Sequence, residues 1–271
     1  MSEITFHYAY QLCDTQSNQN QKRICGDNRT LLSKKSLMSF INTINHCIDN
    51  LPESNHNVMI INDRSSNELL EFVNYCIEKY SSNNLKIEIQ TLPTPGLSNS
   101  IRECYMWLQT QGKDLVYQVQ DDYMFKETAV YEMYEVYLQM KNEINYDIIV
   151  SPFNDFYLWL AVYRNSCTPR TVVVGKNRYW IQYYDMSCSF MTTHQQFSKH
   201  WDLYHMFFDL IDKKNGLLEN HSLNYMLTQR GVLGLVPVNS LAFHMQSDFE
   251  KDPHIPWEPI WDSIDVTLPS T

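Results

Sequence analysis

The chain has 271 residues, of which 44% are hydrophobic, 13% aromatic and 19% charged; this supplies a sizeable core and excludes disorder over most of the length. With 31 acidic against 21 basic residues the formal net charge is −10 at pH 7, so polyanions are repelled and no nucleic acid polymer is expected as a partner. The seven cysteines are scattered without a CxxC pair, which argues against a disulfide framework or a zinc ribbon and leaves them as buried thiols.

In chain order, the first half alternates strand-like and helix-like segments, the pattern of a largely parallel sheet with helices on its faces. ITFHYAYQLC from Ile4 predicts an opening strand, and the polar loop after it, Asp14 to Arg29, is expected to be mobile. Leu37, Ile41, Ile44 and Ile48 recur at helical spacing. VMIIN from Val58 is a continuous apolar run that suits a strand covered on both faces. Ser65 and Glu68 then have capping-box spacing, and Leu69, Val73, Cys76 and Tyr80 form the stripe of a second helix. LKIEIQTL from Leu85 alternates as a strand does, Thr94 to Gly96 mark a turn, and NSIRECYMWLQT reads as helix. DLVYQVQ from Asp114 predicts a strand running straight into DDYMF. A helix from Glu127 to Lys141 and the strand YDIIVSPF complete this half.

In the second half, TVVVGKNRYWIQYY from Thr171 predicts an antiparallel hairpin turning at Gly175 to Asn177. Helices are expected from Gln195 to Ile211 and from Leu217 to Thr228. Beyond His244 repeated prolines interrupt any period. The expected architecture is α/β: a mixed, mostly parallel central sheet flanked by helices, with an added β-hairpin. Residues 1–145 and 146–250 form two halves of one domain, and residues 251–271 an irregular arm. No stretch approaches the roughly 18 apolar residues of a membrane span. MSEITFHYAY lacks the basic and apolar regions of a secretion signal, so a cytoplasmic location is expected.

Open α/β sheets bind ligands at the carboxyl ends of their strands, where loops diverge and helix N-termini point into a crevice. Asp63 ends VMIIN, while Asp121 and Asp122 end DLVYQVQ. A lone Asp-Asp pair is ordinarily a solvated turn; this one follows an apolar strand and precedes Tyr and Phe. Phosphate loops of the type GxxxxGK[ST], HExxH zinc helices and GxSxG elbows are all missing from the sequence. His194, His200, His205 and His221 have no metal-ligand spacing.

NVMIINDRSSNELLEFV and GLSNSIRECYMWLQTQGKDLVYQVQDDYMF resemble the nucleotide-sugar-binding half of GT-A (Rossmann-like) glycosyltransferases, nearest to glycosyltransferase family 2. Asn62-Asp63-Arg64-Ser65 matches that family's D-D-x-S type segment and Gln120-Asp121-Asp122 its D-x-D type motif, with Asn62 and Gln120 standing where an acid is common. The resemblance covers residues 1 to 125 and, more loosely, ENHSLNYMLTQRGVLGLVPVNSLAFH. It implies that Asp63 binds the nucleobase, that Asp121 lies near the ribose or donor sugar, and that Asp122 and His244 ligate Mn²⁺ or Mg²⁺. It also implies that Glu219 is the catalytic base of an inverting enzyme, although Asn220 follows it where an Asp is usual.

Physical chemistry supports the same residue types. A departing nucleoside diphosphate gathers negative charge, and an acidic protein stabilises it by interposing a cation. A carboxylate near the donor deprotonates the attacking hydroxyl, a step worth on the order of 10² to 10⁴ in rate. Arg102 is a candidate to reach the phosphates, or else a solvent-exposed arginine. Tyr179, Trp180, Tyr183 and Tyr184 offer either a sugar-stacking surface or core packing, and Trp257 and Trp261 either a lid or packing of the tail. The expected partners are therefore a UDP-linked sugar and a glycan, lipid-linked or protein hydroxyl acceptor. The alternatives are a nucleotidyltransferase that releases pyrophosphate and a catalytically inactive GT-A-like sugar-binding module.

Overall fold

A computed structural model describes residues 3–15, 28–146, 148–154, 170–184, 189–213, 222–245 and 255–269. Its central element is a nine-stranded sheet. The strands are β1 (Thr5–Leu12), β2 (Asn55–Asn62), β3 (Leu85–Thr91), β4 (Leu115–Gln120), β6 (Ile148–Val150), β7 (Val172–Val174), β8 (Tyr179–Tyr183), β9 (Phe190–Thr193) and β10 (Leu233–Pro237), in the order β3-β2-β1-β4-β9-β6-β10-β8-β7. A separate ribbon pairs β5 (Tyr123–Phe125) with β11 (Ala242–His244). Strands β3, β2, β1 and β4 run parallel. β9 is antiparallel to both β4 and β6, β10 is parallel to β6, and β8 and β7 alternate in direction at the edge. The sheet is thus mixed and mostly parallel, and the β7–β8 hairpin turns where the sequence predicts.

Helices cover both faces. On one side lie α1 (Arg29–Asn50), α2 (Asn67–Tyr80) and α4 (Ala129–Ile144), over a core that includes Phe6, Tyr8, Tyr10, Phe40 and Tyr117. The other side carries α3 (Leu97–Gln111), α5 (His194–Lys199), α6 (Trp201–Asp212) and α7 (Asn224–Thr228), packed around Tyr105, Phe190, Tyr204 and Phe208. β1 is buried on both faces, which explains its near-continuous apolar and aromatic run. The two tyrosines that point from it toward α1 keep partners for their hydroxyls: Tyr8 with His56 Nδ1 and Tyr10 with Ser36 Oγ, each at 2.8 Å.

The N-cap of α2 is Ser66, whose Oγ accepts from the Leu69 amide, one residue beyond the predicted Ser65; Glu68 pairs with Lys34 at 2.7 Å rather than closing a capping box. The helix predicted from Gln195 to Ile211 breaks at His200 (φ −109°, ψ 22°) into α5 and α6. Of the Leu217 to Thr228 helix, the described part is the short α7; residues 214–221 lie outside the described residues. The tail is not wholly irregular, because α8 (Trp257–Ser263) forms in it and buries Trp257. Trp180 and Tyr183 are core residues, while Tyr179 remains exposed. Cys13, Cys47, Cys76 and Cys104 are buried free thiols, as expected; Cys25, Cys167 and Cys188 lie outside the described residues. Among the described residues no helix is long and apolar enough to cross a membrane.

Candidate functional site

The chain runs from β1 to β2 to β3 in one direction across the sheet and then returns to place β4 on the other side of β1. Loops on either side of such a reversal diverge, and open sheets bind ligands at this rim, the carboxyl ends of β1 and β4. Three of the predicted residues converge on this rim. Asp63 follows β2, and Asp121 and Asp122 form the turn between β4 and β5; all are at most 5% exposed.

The two adjacent aspartates have different environments. Asp121 Oδ2 accepts hydrogen bonds from the Cys13 amide at 2.8 Å and Ser33 Oγ at 3.0 Å, while its Oδ1 meets Arg29 Nη2 at 3.0 Å. It therefore ties the end of β1 and the start of α1 to the end of β4. Burial pushes its carboxyl up to about 6 against the opposing pull of Arg29, and the neighbouring Asp122 adds to the rise. Asp122 instead faces β11: its Oδ2 lies 3.3 Å from His244 Nε2, and its carbonyl accepts from the Met245 amide at 2.8 Å. His244 stacks on Tyr123, with ring centres 4.7 Å apart and planes 7° apart. The ribbon register, His244 opposite Tyr123, is what brings the imidazole to the aspartate.

Asp63 takes a third role. Both of its oxygens lie within 3.1 Å of the Gly96 amide at the N-cap of α3, and Arg64 Nε donates to Oδ1. Negative charge at this place favours the helix dipole. Arg64 adopts φ +59°, a conformation uncommon for a residue with a side chain, and its carbonyl accepts from Thr15 Oγ1. Gly96 has φ +133°, which only glycine adopts without strain.

Arg102 is not brought to this cluster. Its guanidinium binds Asp212 at 2.6 Å and lies over the Phe208 ring, joining α3 to α6. Glu219 lies outside the described residues. Conversely, Arg29 and Asp14 belong to the rim and were not singled out as site residues by the sequence. Asp14 Oδ1 accepts from the Ser66 amide, and its Oδ2 from Thr30 Oγ1 and Ser66 Oγ, so this carboxylate joins the starts of α1 and α2. Asp14 and Arg29, at the two ends of the polar loop, are thereby anchored; residues 16–27 lie outside the described residues.

Among the described residues no group of three or more His, Cys, Asp or Glu side chains is placed to hold a metal. Asp122 and His244, in hydrogen-bond contact with each other, would offer a cation one carboxylate and one imidazole. Adjacent ligands on an octahedral ion with bonds of about 2.1 Å lie about 3 Å apart, and the observed 3.3 Å fits that spacing. The remaining positions of such a shell would fall to a bound diphosphate and water.

No protein-family model matches the chain, and no curated protein does. Solved structures similar to it include a UDP-glucose pyrophosphorylase from Acinetobacter baumannii, with 8% identity, 90% of this chain and 89% of that chain covered, and a TM-score of 0.48. The galactosyltransferase LgtC, in complex with donor and acceptor sugar analogs, has 8% identity and a TM-score of 0.42, with 85% of this chain and 73% of that chain covered. A 4-diphosphocytidyl-2C-methyl-D-erythritol synthase from Anaerococcus prevotii has 12% identity and a TM-score of 0.39, with 86% and 88% covered. Likenesses this loose carry no argument about what the chain does.

Proposed function

We propose that the chain is a metal-dependent glycosyltransferase that moves a sugar from a UDP-linked donor to a hydroxyl of a glycan, lipid-linked or protein acceptor, with inversion. The observation that supports this reading is the Asp122–His244 pair, set at the carboxyl-end rim beside the reversal point of the sheet. Asp122 and His244 would hold Mn²⁺ or Mg²⁺, whose chemistry when bound is to neutralise the diphosphate as it leaves. Arg29 holds Asp121 and offsets its charge, so the rim is less repulsive to an anionic donor than a bare row of carboxylates. Asp63 orients the start of α3 and is the residue proposed to bind the nucleobase. Glu219 is assigned the removal of the acceptor proton.

A thermal-shift panel of nucleotide sugars, with and without Mn²⁺, tests the reading. A true donor stabilises the fold by about 2.7 kcal/mol at a hundredfold excess over its Kd, and does so only with the cation. Incubation with an acceptor should release nucleoside diphosphate; release of pyrophosphate would make the chain a nucleotidyltransferase instead. Glu219→Gln should keep donor binding and lose transfer.

A further inference from the structure

Trp257, on α8, is 1% exposed, and its ring stacks on Phe243 with centres 5.3 Å and planes 24° apart. Phe243 immediately precedes His244 on β11, a three-residue strand that pairs with the equally short β5. Two strands of this length do not hold their geometry unaided, so packing against the ribbon decides where its side chains sit. Successive side chains of a strand point to opposite faces. With Phe243 held against Trp257, His244 is turned the other way, onto Tyr123 and Asp122.

Cations fasten the helix that carries Trp257. Lys126 Nζ lies 5.6 Å from the Trp257 ring centre, and Lys35, from α1, sits 4.7 Å from that of Trp261 while donating to the Trp261 carbonyl at 2.5 Å. Among the described residues, the buried Trp257 indole N–H meets no hydrogen-bond acceptor. A buried tryptophan normally satisfies that donor; this one serves through the flat face of its ring.

We propose, on the reading of Asp122 and His244 as cation ligands, that Trp257 is a positioning residue for that pair: α8 holds His244 where a divalent cation needs it. Calorimetric titration of Mn²⁺ into protein saturated with UDP, titration of UDP alone, and nuclear Overhauser contacts between the His244 and Tyr123 rings form the test. Trp257→Ala and the bulkier Trp257→Leu should weaken Mn²⁺ binding about tenfold, in the range known for residues that support metal ligands. Both should lose the ring contacts and leave binding of UDP alone unchanged. Trp257→Phe, which keeps the stack and removes the orphan donor, should behave as wild type in all three measurements. Unchanged Mn²⁺ affinity with intact ring contacts in the alanine and leucine variants would overturn the proposal, as would an equal loss of binding for UDP alone. If the wild type with UDP takes up no Mn²⁺, the functional reading fails, while the ring contacts still decide the role of Trp257.

Discussion

Asp122 Oδ2 and His244 Nε2 lie 3.3 Å apart although 122 positions separate them in the chain. Neither the β4 turn nor β11 brings the other residue near on its own; the β5–β11 ribbon does so by its register. Removing either side chain would take away one member of the proposed ligand pair. Asp122→Ala and His244→Ala are each expected to reduce Mn²⁺-dependent UDP affinity by more than the roughly tenfold typical of a supporting residue. Calorimetry with and without Mn²⁺ reads this directly, and full Mn²⁺-dependent binding in either variant would refute the assignment.

Arg29 and Asp121 form an ion pair whose side chains are 17% and 7% exposed. Breaking such a pair from one side strands the other charge in a poorly solvated place. Arg29→Met is expected to lower stability by about 3 kcal/mol, visible as a drop in the urea midpoint. Asp121→Asn keeps a hydrogen-bonding group opposite Arg29 and should cost less.

Removing the Asp63 carboxylate leaves the Gly96 amide without this acceptor. Asp63→Ala should therefore cost about 2 kcal/mol, the usual penalty for orphaning a buried donor. Hydrogen exchange should show the loss concentrated in the first turn of α3.

Stability should depend on pH through buried groups that include His56, His7 and Asp121. Burial lowers the pKa of His56 from 6.5 to about 3; for His7 burial, aided by Lys113, lowers it to about 4. The unfolded chain takes up these protons first, so the stability they confer is present above 6.5 and is lost as the pH falls through the window below it. Asp121 acts oppositely. Its folded pKa of about 6 lies above its ordinary 3.8, so the contribution it makes is present at low pH and is lost as the pH rises between those values. Each group changes the slope by at most about 1.4 kcal/mol per pH unit. Urea midpoints should rise from pH 4 to pH 6 because two histidines outweigh one carboxyl. The rise should flatten in His56→Gln and steepen in Asp121→Asn.

The parallel half of the sheet was legible because its strands are continuous apolar runs, separated by helices with regular stripes, as VMIIN and the Leu37 to Ile48 series show. Asp63, Asp121 and Asp122 could be placed because a strand end is a local property. β9 was missed: Phe190 to Thr193 is four residues long, too short for alternation to register, and it is strand because β4 and β6 flank it. The His200 break was hidden because the apolar spacing continues through it. Arg102 illustrates a different limit, since its partner Asp212 comes from a helix 110 positions away. Arg29 and Asp14 escaped notice for the same reason, as their partners are set by the way three loops meet.

The antiparallel strand β9 sits between β4 and β6, so the sheet is sewn together by a segment made after both of the strands it joins. Until Phe190 to Thr193 arrive, β4 presents a bare edge of backbone amides and carbonyls to any passing strand. A fragment ending near residue 145 would keep the four parallel strands but retain that open edge. Such a piece should stick to copies of itself, and a nascent chain paused at that length would be the form most in need of a chaperone.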